Sequence, residues 1–172
     1  MGKWKPLLPF GGSTILQTVV GTALRACSRV VLVTGCRGAE LAACFAGEPG
    51  VLIVPNEGWE RGMFSSVQIG VARVQTTRFF VTLGDMPWIA SAAYEALWEA
   101  AVAGAEADAV FPVFGGRRGH PVLFHGRIRE AVAAADPSTA SMRLIAERLR
   151  AVELPWPDDS VIRDIDTPGD LE

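Results

Sequence analysis

The chain alternates short, continuous apolar runs with longer stretches of helical periodicity. Val30-Val31-Leu32-Val33 and Val51-Leu52-Ile53-Val54 are apolar at every position and rich in β-branched residues. Strands of that kind belong to sheets covered on both faces, because a strand with one wet face alternates apolar and polar. Runs at 79–83, 109–113, 122–124 and 152–154 extend the set. Between them, residues 14–26 open with Thr14-x-x-Gln17 and residues 65–74 with Ser65-x-x-Gln68, both capping-box spacings. In the first, Ile15, Leu16, Val19, Val20, Ala23 and Leu24 make one wide apolar face. Further helices are predicted over 39–45, 91–103 and 139–150. Alternating strand and helix predicts a single α/β domain over 1–172, with a mostly parallel sheet and right-handed crossovers.

Composition narrows the function classes. A chain of 172 residues, 49% hydrophobic and 20% charged, suits one globular domain with a real core. Its net charge of −3 gives no pull towards nucleic acid or an acidic membrane, although Lys3/Lys5 and Arg117/Arg118 are local basic clusters. No apolar stretch approaches the roughly 18 residues of a membrane span, and the N-terminus does not read as a signal peptide. Cys27, Cys36 and Cys44 are odd in number and lack metal-ligand spacing. The expectation is a soluble cytoplasmic protein with buried or half-buried reduced thiols.

The candidate chemistry begins at Asp85. Leu83-Gly84-Asp85-Met86-Pro87-Trp88 closes the apolar run at 79–82 and puts one carboxylate where a buried strand leaves its sheet. Open α/β sheets present metals and ligands in the crevice at that end, and a hard cation takes such oxygen ligands. The bland reading is a cap on the helix that starts near Ser91, which Pro87 and the intervening gap disfavour. Asp164 and Asp166 share a face if their segment is extended, so they could complete a metal site; equally, they could bond their own turn ahead of Pro168. Lys5 could offset phosphoryl charge, while Lys3 reads as a solvated surface lysine.

Two loops follow strands. Residues 56–66, with Asn56, Gly62 and Ser66, make a connection longer than the usual 2–6 residues, which favours a binding role over a plain link. Residues 115–121 gather Arg117, Arg118 and His120 among glycines, and suit either a phosphate or a simple turn. Residues 7–12 read as the tail of a phosphate loop.

Taken in order, Met1-Gly2-x-x-Lys5-x-x-Leu8-Pro9, Asn56 with Gly62-Met63-x-x-Ser66, Gly84-Asp85-Met86-Pro87, Gly119-His120-Pro121 and Asp164-Ile165-Asp166-Thr167-Pro168 resemble the nucleotidyltransferases of molybdenum-cofactor maturation. The segments at 27–35 and 84–87 resemble the cytidylyl branch more than the guanylyl one. The resemblance implies a three-layer, Rossmann-like MobA-like NTP transferase domain. It implies Mg²⁺-dependent transfer of CMP from CTP to the terminal phosphate of Mo-molybdopterin, giving the cytosine dinucleotide and pyrophosphate, and a possible recipient molybdoenzyme as partner.

By the same resemblance Lys5 contacts the triphosphate and Asp85 holds Mg²⁺, helped by Asp166 and less directly by Asp164. Asn56, Gly62 and Ser66 line the nucleotide side; Gly119, His120 and Pro121 face the pterin. The family signature Leu-Ala-Ala-Gly-x-Ser-x-Arg is expected ahead of Met1, so the first strand and its glycine-rich turn are expected to be missing from this chain and CTP binding to be poor. The alternatives are guanylyl or sugar-phosphate nucleotidyl transfer on the same fold, and a non-catalytic carrier of the cofactor.

Overall fold

The computed structural model describes residues 4–104, 106–166 and 170. A hairpin of β1 (Pro9–Phe10) and β2 (Ser13–Thr14) leads into α1 (Ile15–Ala26), β3 (Val30–Thr34), α2 (Gly38–Cys44) and β4 (Val51–Pro55). Then come α3 (Met63–Val71), β5 (Arg78–Val81), α4 (Ser91–Ala103), β6 (Ala109–Phe114), β7 (Arg117–Arg118) and β8 (Val122–His125). The chain continues through α5 (Arg129–Ala134) and α6 (Met142–Ala146) to β9 (Ala151–Pro155). In residues 7–12, read above as the tail of a phosphate loop, Gly11 and Gly12, at φ +56° and +84°, form the two-residue turn of the first hairpin. Two successive positive φ values are what such a turn needs.

Local chemistry explains which helices start where the pattern says. Thr14 caps α1, its Oγ1 accepting the Gln17 amide at 3.2 Å. The second capping box does not form. Gly62, at φ +96°, becomes the N-cap and starts α3 two residues before Ser65, whose hydroxyl donates to the Gly62 carbonyl at 2.7 Å. Gln68 is thereby released to donate to the carbonyls of Val132 and Ala135, at 2.9 and 2.8 Å, closing the end of α5. The helix expected over 139–150 shrinks to α6, because the chain must straighten to enter β9.

Strand β3 pairs in parallel with β4, and β6 in parallel with β9. Strand β8 lies between β5 and β6 and runs antiparallel to both. Strands β3 and β4 therefore form a two-stranded parallel sheet of their own, and the five-stranded sheet of β5, β8, β6, β7 and β9 is mixed. The reason lies in loop length: residues 115–121 are too few for a parallel crossover, which takes about a dozen or more, but enough for a hairpin return. Among the described residues β3 pairs only with β4 and β5 only with β8, so each keeps one open edge.

Helices cover both faces. Val110 and Leu123 pack against Leu97 and Ala101 of α4, while their neighbours Phe111 and Phe124 pack with Phe64 and Val71 of α3 and Val132 of α5. Adjacent strand residues thus enter opposite cores, the period of two that a doubly covered strand imposes. Helices α1 and α2 close over β3 and β4 through Leu16, Val20, Leu41 and Phe45.

The end of the sheet opposite the candidate site is tied by charge. Asp108 accepts from the Arg150 amide at 2.9 Å and from the guanidiniums of Arg150 and Arg127, and Arg150 also bonds Glu106 at 2.9 Å. Burial opposes ionisation of Asp108, but the Arg150 amide and the two guanidiniums outweigh it and hold the carboxyl below its ordinary value. A depressed carboxyl stabilises the fold above its unfolded pKa and ceases to as pH falls through the folded one. Asp108→Ala is expected to cost about 2 kcal/mol at pH 7, a loss of about 4–8 °C in melting temperature. Melts of the two proteins should converge as the pH is lowered towards 3.

Candidate active site

Strand β5 ends at Val81, and the loop after it carries Asp85 to the carboxyl end of the sheet. The first helical residue after that loop is Ser91, and its N-cap, Ala90, makes no side-chain cap bond. Asp85 is therefore not spent on α4. Its Oδ1 is buried and, among the described residues, has no hydrogen-bond partner. Burial raises the carboxyl pKa, and the fields of Asp164 and Asp166 raise it further, while its own amide and Lys5 pull the other way.

The C-terminal segment crosses this loop. Ile165 is fully buried and its amide donates to the Asp85 carbonyl at 3.0 Å. One residue on, Asp166 Oδ1 accepts from Lys5 Nζ at 3.0 Å, joining positions 161 apart in sequence. Lys5, on a 3₁₀ turn, thus stands beside the two acidic segments in an ion pair that solvent reaches, its side chain 41% and that of Asp166 74% exposed. Among the described residues no three acidic, histidine or cysteine side chains close on a common point. The donor set fits a hard cation that draws the rest of its shell from water and substrate oxygens, as Mg²⁺ usually does.

The loop 115–121 supplies the opposite wall. The His120 amide donates to the Val161 carbonyl at 2.7 Å, and its Nδ1 lies 3.3 Å from the Val81 carbonyl at the end of β5. Burial holds the imidazole below its ordinary pKa, opposed by the Val81 bond and the field of Asp85. It is neutral at pH 7, and a donating Nδ1–H leaves Nε2 as acceptor. Pro121 is fully buried beside it. Gly119 is required by space: a Cβ there would collide with the backbone carbonyl of Val161. Arg118 is drawn away from the site, onto Glu153 of β9 at 2.7 Å and over the Phe111 ring at 4.5 Å.

Asn56, 2% exposed, spends its side chain on its own loop. Its Oδ1 accepts the Gly58 amide at 3.0 Å, and its Nδ2 donates to the hydroxyls of Ser65 and Ser66, both at 2.9 Å. Asn56 also lines an open cleft of about 390 Å³ with Thr34, Gly35, Ala42, Pro55 and Trp59. Gly62 and Ser66 do not line that cleft. Lys5, Asp85, Asp166 and His120 gather at one place, and Asn56, Gly62 and Ser66 at the next loop. Met1, Gly2, Lys3, Thr167 and Pro168 of the motifs lie outside the described residues.

Two contributors carried no sequence signal. The Arg163 guanidinium lies 3.9 Å above the Trp88 ring, and Phe10 meets the same ring edge-on at 5.6 Å. The cysteines correct an expectation: Cys27 is half-buried, but Cys36 and Cys44 are exposed, and all three are free. Short strand and helix ends at the surface leave them uncovered. Among the described residues no helix is long and apolar enough to cross a membrane.

A mixed α/β sheet with its acidic loop at the carboxyl end is the frame of a nucleotidyltransferase. It superposes on a nucleotidyl transferase from Methanothermobacter with a TM-score of 0.79 at 20% identity, covering 96% of this chain and 81% of that one. The manganese complex of Rv0371c from Mycobacterium tuberculosis H37Rv gives a TM-score of 0.76 at 24% identity, covering 98% and 90%. Residues 1–152 match the MobA-like NTP transferase domain, and the chain belongs to that family.

It is 34% identical to the molybdenum cofactor cytidylyltransferase of Escherichia coli (strain K12) over 172 residues, which is 99% of this chain and 86% of that protein. The nicotine blue oxidoreductase of Paenarthrobacter nicotinovorans is 30% identical over 176 residues, 95% of this chain and 83% of that protein.

Proposed function

We propose that this nucleotidyltransferase transfers CMP from CTP to the terminal phosphate of Mo-molybdopterin, releasing pyrophosphate, in the cytoplasm. The observation that carries the reading is the buried, unpartnered Oδ1 of Asp85 at the carboxyl end of β5, with Lys5 and Asp166 beside it. A carboxylate oxygen buried without a hydrogen bond is costly, even on a half-exposed side chain, and such atoms persist where a ligand repays them. Asp85 with Asp166 would hold Mg²⁺, which supplies charge neutralisation on the triphosphate.

The chain's own part is positioning. Attack by a phosphate oxygen on the α-phosphorus brings two anions together in line, so the demand is for placement and neutral surroundings more than for a strong base. Lys5 gives up Asp166 and turns its ammonium to the phosphates. The loop ordered by Asn56 presents Gly62, Ser66 and the first turn of α3 to the nucleotide. Gly119, His120 and Pro121 take the pterin side, with His120 offering a neutral ring to a neighbouring donor. Exposed free thiols suit a reducing compartment.

The test is pyrophosphate release from CTP and GTP, each with Mo-molybdopterin, in Mg²⁺ and in EDTA. Turnover with CTP alone, lost in EDTA and needing high CTP because binding should be poor, is expected. Turnover with GTP alone would move the base assignment to the guanylyl reaction. Cofactor handed on to a molybdoenzyme without pyrophosphate would make the protein a carrier. Lys5→Met is expected to lower turnover about a hundredfold, the scale of losing one charge partner in the transition state.

A further inference from the structure

Three side chains assigned above to the charged site come from three distant segments: Lys5 before the first hairpin, Asp85 after β5, and Asp166 near the C-terminus. No single secondary-structure element carries two of them. Their spacing depends on how the segments are fastened together, and Trp88, itself in the Asp85 loop, touches the hairpin that follows Lys5 and the segment that carries Asp166. Phe10, from the N-terminal hairpin, packs edge-on against the Trp88 ring at 5.6 Å with the ring planes at 90°. Arg163, from the C-terminal segment, lies over the ring at 3.9 Å. The ring also flanks the buried cluster of Leu8, Ile15 and Ile165.

The fastening is close to the chemistry on every side. Trp88 follows Asp85 by three residues. Arg163 is two residues before Ile165, whose amide bonds the Asp85 carbonyl, and three before Asp166. The Arg163 guanidinium also donates to the Asp170 carbonyl at 3.3 Å, and the Asp170 carboxylate accepts the Asp166 amide at 3.0 Å. One guanidinium therefore ties the indole to Asp170, the residue whose carboxylate holds the Asp166 amide. A flat cation on an aromatic face is held by both electrostatics and stacking, which a lysine reproduces only in part.

We propose that Trp88 and Arg163 are positioning residues that set the distance between Asp85 and Asp166, and so the affinity of the site for a divalent cation. The proposal rests on the reading of Asp85 and Asp166 as cation ligands. Neither Trp88 nor Arg163 contacts the ion; each acts through the segment it holds. Partners that orient a ligand in this way are worth about 10–100-fold in metal affinity.

The experiment is Mn²⁺ binding by titration calorimetry or electron paramagnetic resonance, on the whole chain, for wild type, Asp85→Asn, Arg163→Met, Arg163→Lys and Trp88→Phe, with a melting curve for each. Arg163→Met is expected to weaken Mn²⁺ binding about tenfold. Arg163→Lys and Trp88→Phe, which keep a cation on a ring, should fall between it and wild type. Those two also serve if Arg163→Met does not fold. Wild-type Mn²⁺ affinity in folded Arg163→Met, or a lowered melting temperature with unchanged affinity, overturns the proposal and leaves the cation site standing. Binding by wild type that Asp85→Asn does not weaken, or no binding by wild type at all, overturns the cation site and the proposal together.

Discussion

Asp85→Asn is expected to yield a protein about a thousandfold less active than wild type and, without metal, slightly more stable. The first effect follows from charge. Asparagine keeps the shape but removes the anion that would hold the cation, and no other described carboxylate is placed on this loop. The second follows from the same buried, unpartnered Oδ1. Because Asp85 is half-exposed, the relief is put at the low end of the cost of an unsatisfied buried group, about 1 kcal/mol. For a chain of this size that is about 2–4 °C.

The pH dependence has a definite sign. Burial chiefly, with the fields of Asp164 and Asp166, raises the folded pKa of Asp85 above that of the unfolded chain. Between the two values the folded state binds the extra proton, so stability falls as pH rises through that window. The advantage of Asp85→Asn should be absent below about pH 4, where both states carry the proton, and complete above the raised folded value. Melting curves from pH 4 to pH 8 in EDTA measure it, and pyrophosphate release measures the activity. A variant less stable than wild type at pH 8 would refute the account of Asp85 as a carboxylate held at a cost.

Gly119→Ala is expected to be the most damaging glycine-to-alanine substitution among the described residues. The added Cβ would meet the Val161 carbonyl, and a backbone atom cannot swing aside. Nor can the hairpin withdraw easily, because the Gly119 amide bonds the Pro112 carbonyl at 2.8 Å and the His120 amide bonds Val161 at 2.7 Å. Overpacking against rigid backbone costs about 3 kcal/mol, or about 6–12 °C here. The displacement would be felt at the site, since the segment pushed outward at 161 is the one that delivers Ile165 and Asp166 to Asp85. Turnover should therefore fall even at temperatures where the variant is folded. Gly116→Ala is a useful contrast: its φ of +76° brings backbone strain, but no atom lies within 4 Å of the new Cβ. A melting temperature for Gly119→Ala within a degree or two of wild type would show that the close crossing is not maintained.

The charged site was legible in part, and for identifiable reasons. Asp85 stands out because a lone carboxylate follows an apolar run, and the structure adds that its oxygen is unpartnered. Asp164 and Asp166 are ambiguous in sequence, where turn and ligand look alike. Only the Ile165 bond to Asp85 and the Lys5–Asp166 pair bring that segment to the site. Asn56 shows the converse. Its place after a strand suggests contact with a ligand, yet its amide is committed to Gly58, Ser65 and Ser66. Trp88 and Arg163 could not be read at all, since a contact between residues 75 positions apart leaves no periodic trace.

By itself the sequence determined what local forces decide: which runs are strands, where α1 and α4 lie, and that the sheet is covered on both faces. Hydrophobic periodicity and end-capping act within a few residues, so they are written in the order of the chain. Tertiary structure alone decided the release of Gln68 from its capping box and the meeting of Lys5, Asp85 and Asp166. Each of these depends on which distant segment reaches a given edge or hydrogen-bonding group first. That competition is settled by packing over the whole domain, where burial of the Trp88 and Ile165 side chains outweighs any preference of the residues around them.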